Sequence, residues 1–190
     1  MPAHYSLTET EKAVNHRLGP IPVQREALAA LSNLYRAATA VRQHLENSAL
    51  RAADLTWSAF VVLWVIWIWE EIETRHAAAE AGISKGTLTG IIKTLESRGL
   101  AQRSQHPEDG RLALLRLTPH GLHLMHHLFP TFNDEEAFVV APLTPDESLH
   151  LADTLRRIIT HLEQHGEQRR EDLHRTTPLP PRRGGRRRTE

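Results

Sequence analysis

Within residues 85–93 the chain sets out two ammonium groups (Lys85, Lys93), two hydroxyls (Thr87, Thr89) and two glycines (Gly86, Gly90). Ammonium groups pair with anionic oxygen, hydroxyls donate and accept, and glycines add no bulk. Together they suit close contact with a large, polar, negatively charged surface such as the floor of a DNA major groove. The apolar residues among them, Leu88, Ile91, Ile92 and Leu95, recur at i, i+3, i+4 and i+7, which predicts a helix with one buried stripe. Ser84 suits its N-cap and Gly99 its C′ position, with Leu100 folding back on Leu95 and Arg98 facing the negative end of the helix dipole. Each interior glycine costs a helix about 1 kcal/mol relative to alanine. A solvated face gives no return on that cost; a face pressed against a surface does.

The elements around this helix must position it. Downstream, 100–105 and 111–117 read as two strands joined by the loop 106–110, His-Pro-Glu-Asp-Gly. The second strand alternates, Ala113, Leu115 and Leu117 against Leu112, Leu114 and Arg116. A hairpin directly after a groove-reading helix is a wing, and Arg111 at its base suits a minor groove, with Asp109 holding it in one rotamer. Upstream, the alanine-rich stretch after Glu73 predicts a short helix ended by Gly82. With Ile83 and Ser84 it forms the tight turn of a helix-turn-helix. The fold class is therefore mainly α with a small β-hairpin wing. On DNA, Ser84, Arg75, Arg98 and Arg103 are placed to meet phosphates.

The flanks read as helices. A stripe from Ala27 to Leu45 predicts a long helix over 23–50, after a polar segment with a short helix at 9–18. Leu55-Thr56 opens a helix that is apolar all round, so buried on every side. Its Trp57, Trp64 and Trp67 are core aromatics by default and the lining of a small-molecule pocket as the alternative. Thr118-Pro119 starts a helix that Pro130 is expected to close, followed by a polar patch at 133–136. Thr144 and Glu147 have capping-box spacing, and Leu151, Leu155, Ile158 and Leu162 then form an a/d seam running to about 165. The organisation expected is a polar N-terminal segment at 1–20, a dimerisation helix at 21–54, the winged helix-turn-helix at 55–118, dimerisation helices at 119–166 and a disordered basic tail at 167–190. Two amphipathic helices outside the DNA-reading segment imply a second copy of the chain, with two recognition helices about one DNA turn, roughly 34–36 Å, apart.

Composition narrows the classes. Formal net charge is zero, but five arginines (Arg182, Arg183, Arg186, Arg187, Arg188) lie in the last nine residues and leave a mildly acidic body. No cysteine is present, which excludes disulfides, thiolate catalysis and sulfur-ligated metal. No signal peptide is expected, and the longest apolar run, 59–69, is short of the roughly 20 residues a bilayer requires. A cytoplasmic, nucleoid-associated protein with no membrane partner follows. The chain has no G-x-S-x-G, P-loop, H-E-x-x-H or dinucleotide fingerprint, so no enzyme and no cofactor are expected. His120, His123, His126 and His127 crowd one helix, and His123 and His127 stand at the i, i+4 spacing that can chelate a metal. No carboxylate or cysteine ligand is near in sequence, so the reading is a histidine-rich polar face and no metal site, with a histidine-based metal sensor as an alternative.

The order of Leu55-Thr56, Gly82-Ile83-Ser84, Leu95-Glu96 before Arg98-Gly99-Leu100, Asp109-x-Arg111 and Leu117-Thr118-x-x-Gly121 resembles the MarR family of bacterial transcription regulators. The resemblance covers 55–129 by motif and the flanking helices by pattern. It implies a homodimer that binds a palindromic double-stranded operator, often as a repressor, and is released by a small ligand or an oxidant. Without cysteine, oxidant sensing through a thiol cannot operate. Gly90 stands where the family often has arginine, so one usual charged contact is missing, and Ala77-Ala78 stands where Leu-Ala is common. Gly90 and the acidic body favour a rival reading, a winged-helix protein-interaction module without specific DNA binding. Lys85, Lys93, Arg103, Arg111 and the arginine tail oppose it.

Overall fold

Thr56 and Glu46 together start the helix at the centre of the buried core cluster. The threonine hydroxyl accepts from the Ala59 amide at 3.2 Å, and the Glu46 carboxylate accepts from the Trp57 amide at 2.8 Å, so two of the unpaired donors of a helix start are satisfied. The structure is a computed structural model that describes residues 5–105, 109 and 112–176. In chain order its elements are α1 (Leu7–Leu18), α2 (Arg25–Asn47), α3 (Ala49–Ala52), α4 (Trp57–Trp69), β1 (Glu71–Glu73), α5 (Thr74–Glu80), α6 (Lys85–Ser97), β2 (Ala101–Gln105), β3 (Ala113–Leu117), α7 (Pro119–Val140) and α8 (Pro145–Thr176). The chain divides into two compact units, Met1–Glu136 and Ala137–Glu190. No single described helix is long and apolar enough to cross a membrane.

In the first unit α4 is the centre, as its all-round apolarity requires. Phe60, Val62, Leu63, Val65 and Ile66 are buried on several faces at once. Leu45 of α2, Leu50 of α3, Ala77 and Ala78 of α5, Leu88, Ile92 and Leu95 of α6, Leu115 of β3 and Met125 of α7 complete one cluster. Burying each large side chain contributes about 1.5–3 kcal/mol.

The three strands form one antiparallel sheet in the order β1-β3-β2. β2 and β3 are the expected hairpin pair, with β2 starting one residue later than expected and Arg111, the expected first residue of the second strand, outside the described residues. β1, only three residues long, has no counterpart among the elements expected from the sequence. Two features make it a strand. Glu70 at φ +58° ends α4 and turns the chain, and β3 then offers a partner on which Ile72 lies opposite Leu115, both buried. Glu71 lies opposite Arg116 and forms an ion pair with it. The alternation expected of β3 is incomplete: Leu114 and Leu115 are both buried, so the strand is covered on both faces there.

Three expected helix bounds are corrected. Pro130 does not close α7, which continues to Val140 through the polar patch. Gly121, Met125, Leu128 and Phe132 form one buried stripe across the proline. Phe132 stacks on Phe60 with ring centroids 4.2 Å apart, and Glu135 lies 2.6 Å from His44 of α2. These contacts outweigh the hydrogen bond the proline removes. The long helix at 23–50 also proves to be two, since the chain breaks at Ser48 between α2 and α3.

In the second unit α8 starts at the expected capping box, with Thr144 and Glu147 bonded reciprocally. The backbone bond from Thr144, then its hydroxyl bond, holds the Glu147 carboxyl below its ordinary pKa. The helix does not end at Gly166 but runs to Thr176, so residues 167–176 belong to it and not to a disordered tail. Gln168 bonds to Asp172, Arg175 pairs with Asp172, and a run of straight-chain residues outweighs one glycine. The remaining tail, with all five arginines, lies outside the described residues.

Candidate nucleic-acid interface

The recognition helix α6 is built by local rules at both ends. Ser84 Oγ accepts from the Thr87 amide at 3.1 Å and shares a 2.8 Å bond with the Thr87 hydroxyl. At the other end Gly99, at φ +66°, donates to Glu96 O and Leu100 donates to Leu95 O, both at 2.9 Å. That pair of bonds is a Schellman motif, which needs a left-handed residue where glycine stands. Between the ends Leu88, Ile92 and Leu95 are at most 2% exposed and anchor the helix to the core. The turn before it carries Gly82 at φ +63°, and Ile83 donates to Ala78 O at 3.0 Å.

The opposite face is open. Ser84, Lys85, Gly86, Thr87, Thr89, Gly90 and Lys93 are all exposed. A Cβ on Gly90 would meet nothing within 4 Å, and one on Gly86 would touch only Ser84 Oγ at 3.8 Å. Neither glycine has a positive φ. Nothing inside the described chain therefore requires glycine at either position.

Beside this face lies a groove of about 340 Å³ lined by Arg75, Lys85 and Arg103, by the acid Glu73, by Thr74 and Thr89, and by apolar residues that include Leu88 and Leu112. Arg75 reaches it from α5 and is paired with Glu73, Nε to Oε2 2.7 Å. Arg103 is exposed on β2. Arg116 is tied to Glu71, whose hydrogen bond and then charge raise its pKa above the usual guanidinium value. Asp109 accepts from the Leu112 amide through its carbonyl, and Arg111 and Gly110 lie outside the described residues. Arg98 is placed differently from the other candidates: its guanidinium is turned to the carbonyls of Ala53 and Asp54, not to the open face.

Gly121 and Glu46 matter more than the sequence disclosed. Thr118 Oγ1 donates to Gly99 O and accepts from the Gly121 amide, and a Cβ on Gly121 would stand 1.9 Å from Leu100 O. The start of α7 thus touches the backbone at the end of α6, a closeness only glycine permits. The Thr-x-x-Gly spacing signals the cap but not the neighbour. Glu46 gave no signal, because the amide it caps is eleven residues away.

The aromatic candidates pack against α7. Trp57 stacks on Phe132, Trp64 on Phe129, and Trp67 meets Phe129 and His126 edge-on, each indole remaining partly exposed. His123 and His127 stack with centroids 4.0 Å apart, and His127 Nδ1 lies 2.9 Å from His123 O, a geometry for ring packing and backbone bonding.

The sequence profile of the MarR family matches residues 55–112. The HTH-type transcriptional regulator YwaE of Bacillus subtilis is 33% identical over 162 residues, 84% of this chain and 95% of that protein. The chain belongs to the MarR family. It is a DNA-binding transcriptional regulator, in a family of regulators and not of enzymes. Among solved structures, the MarR-family regulator Sco3205 of Streptomyces coelicolor, in complex with DNA, has a TM-score of 0.67 at 23% identity, covering 75% of this chain and 91% of that one. BpsR of Bordetella bronchiseptica, whose DNA binding is regulated by 6-hydroxynicotinic acid, has a TM-score of 0.63 at 25% identity, covering 68% of this chain and 98% of that one. The winged helix with a three-stranded sheet is thus the MarR-like fold.

Proposed function

We propose that this MarR-family regulator is a cytoplasmic homodimer that grips a palindromic operator and represses transcription by occupying it. The observation that carries the reading is the open face of α6, which combines Lys85, Thr87, Thr89 and Lys93 with two glycines the fold does not need. In the major groove those four side chains would meet base edges and nearby phosphates, while Gly86 and Gly90 let the backbone approach. Ser84, Arg75 and Arg103 would take phosphates on either side. Arg111, oriented by Asp109, would enter the minor groove.

The dimer is supported by α8. That helix has 32 residues, none of them buried, with Leu149, Leu151, Ile159 and Leu162 between 44% and 70% exposed. A second copy would cover them. An effector is supported by the likeness to BpsR and by the partly exposed edges of Trp57, Trp64 and Trp67. A ligand there would act by preferring a dimer whose recognition helices are wrongly spaced.

The test starts from a duplex that the full chain enriches from a random-sequence pool, read by fluorescence anisotropy. We expect a specific complex whose log K falls linearly with log salt. Arg111→Ala should weaken it by about tenfold or more, the scale of a lost groove contact, with an unchanged melting curve. No enrichment, or binding indifferent to salt, would favour a protein-interaction module instead.

A further inference from the structure

Arg98 leaves α6 at its C-cap and crosses to a joint that is far away in sequence. Its Nη1 donates to Asp54 O at 2.6 Å and its Nη2 to Ala53 O at 2.8 Å. Those carbonyls close α3 and the turn behind it, where no helical amide follows to satisfy them. Asp54 itself stands at φ +49°, a left-handed turn conformation that aspartate adopts more readily than most L-residues. Its own amide donates to Arg51 O and the next amide, Leu55, to Leu50 O, both at 3.1 Å. From the other side Glu46 of α2 caps the Trp57 amide. Residues 53–57 are therefore held by a carboxylate from α2 and a guanidinium from α6.

We infer that Arg98 is a positioning residue for DNA recognition, locking the C-terminal end of α6 to the 53–57 joint so that α2 sets where the recognition helix stands. The inference rests on α6 being the helix that meets DNA. The guanidinium of Arg98 is turned to these two carbonyls and away from the open face of α6, so its role is to hold the joint. A helix of this length is about 20 Å long, so a rotation of about 3° at Arg98 moves Lys85 by about 1 Å. A displacement of that size, about 1 Å, is enough to spoil placement. Base contacts depend on that placement; diffuse attraction to phosphate does not.

The experiment uses the full chain and the duplex it enriches, beside a scrambled duplex of equal length. Arg98→Ala, Arg98→Lys, Glu46→Gln and, as a phosphate-contact control, Lys93→Ala are titrated across salt. Both Arg98 variants should lose about tenfold or more on the enriched duplex, stay within about twofold on the scrambled one, and keep the wild-type salt slope. Lysine should not rescue, because one ammonium cannot span two carbonyls as a fork does. Glu46→Gln should move in the same sense by less, and it keeps the test available if an Arg98 variant does not fold. Lys93→Ala should weaken both duplexes and lower the slope by about 1. If Arg98→Lys binds like the wild type while Arg98→Ala loses about 1 from the slope, Arg98 is a phosphate contact and the inference falls. If Arg98→Ala binds the enriched duplex as the wild type does, the inference falls alone. A wild type that enriches no duplex removes the reading of α6 and the inference with it.

Discussion

The helices α6 and α8 are both amphipathic, yet the fold treats them in opposite ways. In α6 the apolar stripe is used up: Leu88, Ile92 and Leu95 sit in the core, and what remains outside is polar and mostly small, with Lys85 and Lys93 against one acid, Glu96. In α8 the apolar stripe itself is outside, with no residue buried along the helix. A helix whose apolar side is satisfied has only its polar side left to offer, which suits hydrated nucleic acid. A helix whose apolar side is bare is completed by protein. Periodicity alone makes the two look alike, and burial tells them apart.

The comparison can be broken most severely at α8. Ile158→Asp with Leu162→Asp places four carboxylates in a symmetric interface and removes about 3–6 kcal/mol of apolar burial, since the two side chains are 36% and 60% exposed in the single chain. Sedimentation should then show a monomer at micromolar concentration and anisotropy a large loss of operator affinity; a dimer of unchanged stability would deny α8 its role. Next in size is Gly121→Ala, which drives a methyl into Leu100 O. It should lower unfolding free energy by about 1–3 kcal/mol or more in urea titration, and a wild-type midpoint would contradict the close contact of α7 with the end of α6. Smallest and most telling is Gly90→Ala. A methyl there meets nothing in the protein, so stability should rise by about 1 kcal/mol. Affinity for the enriched duplex should fall by about tenfold, the scale of one lost base contact. A variant that is more stable and binds equally well would make the open face of α6 an ordinary solvated surface.

These contrasts explain what could be read from the sequence. The caps and stripe of α6 were legible because Ser84, Thr87, Leu95, Gly99 and Leu100 are each other's partners within one short stretch. The capping box of α8 was legible for the same reason. β1 was not, since nothing within Glu71–Glu73 makes a strand until 114–116 lie alongside. Pro130 and Gly166 were over-read as stops. Their local costs are real, but Phe132 and Glu135 in one case and the side-chain pairs of Asp172 in the other outweigh them. Among site residues, the open face of α6 followed from its period. The destination of Arg98 did not, because its acceptors are backbone carbonyls 44 and 45 residues upstream.

The central claim is that the polar face of α6 meets the phosphates and bases of DNA. Its most direct test is the salt dependence of binding for the wild type and for the combined variant Lys85→Ala with Lys93→Ala, on the same enriched duplex. The account predicts a linear log–log plot for both, with the double variant shallower by about 2 and its melting temperature unchanged. Coincident slopes with unchanged affinity would show that neither lysine touches the DNA and would contradict it.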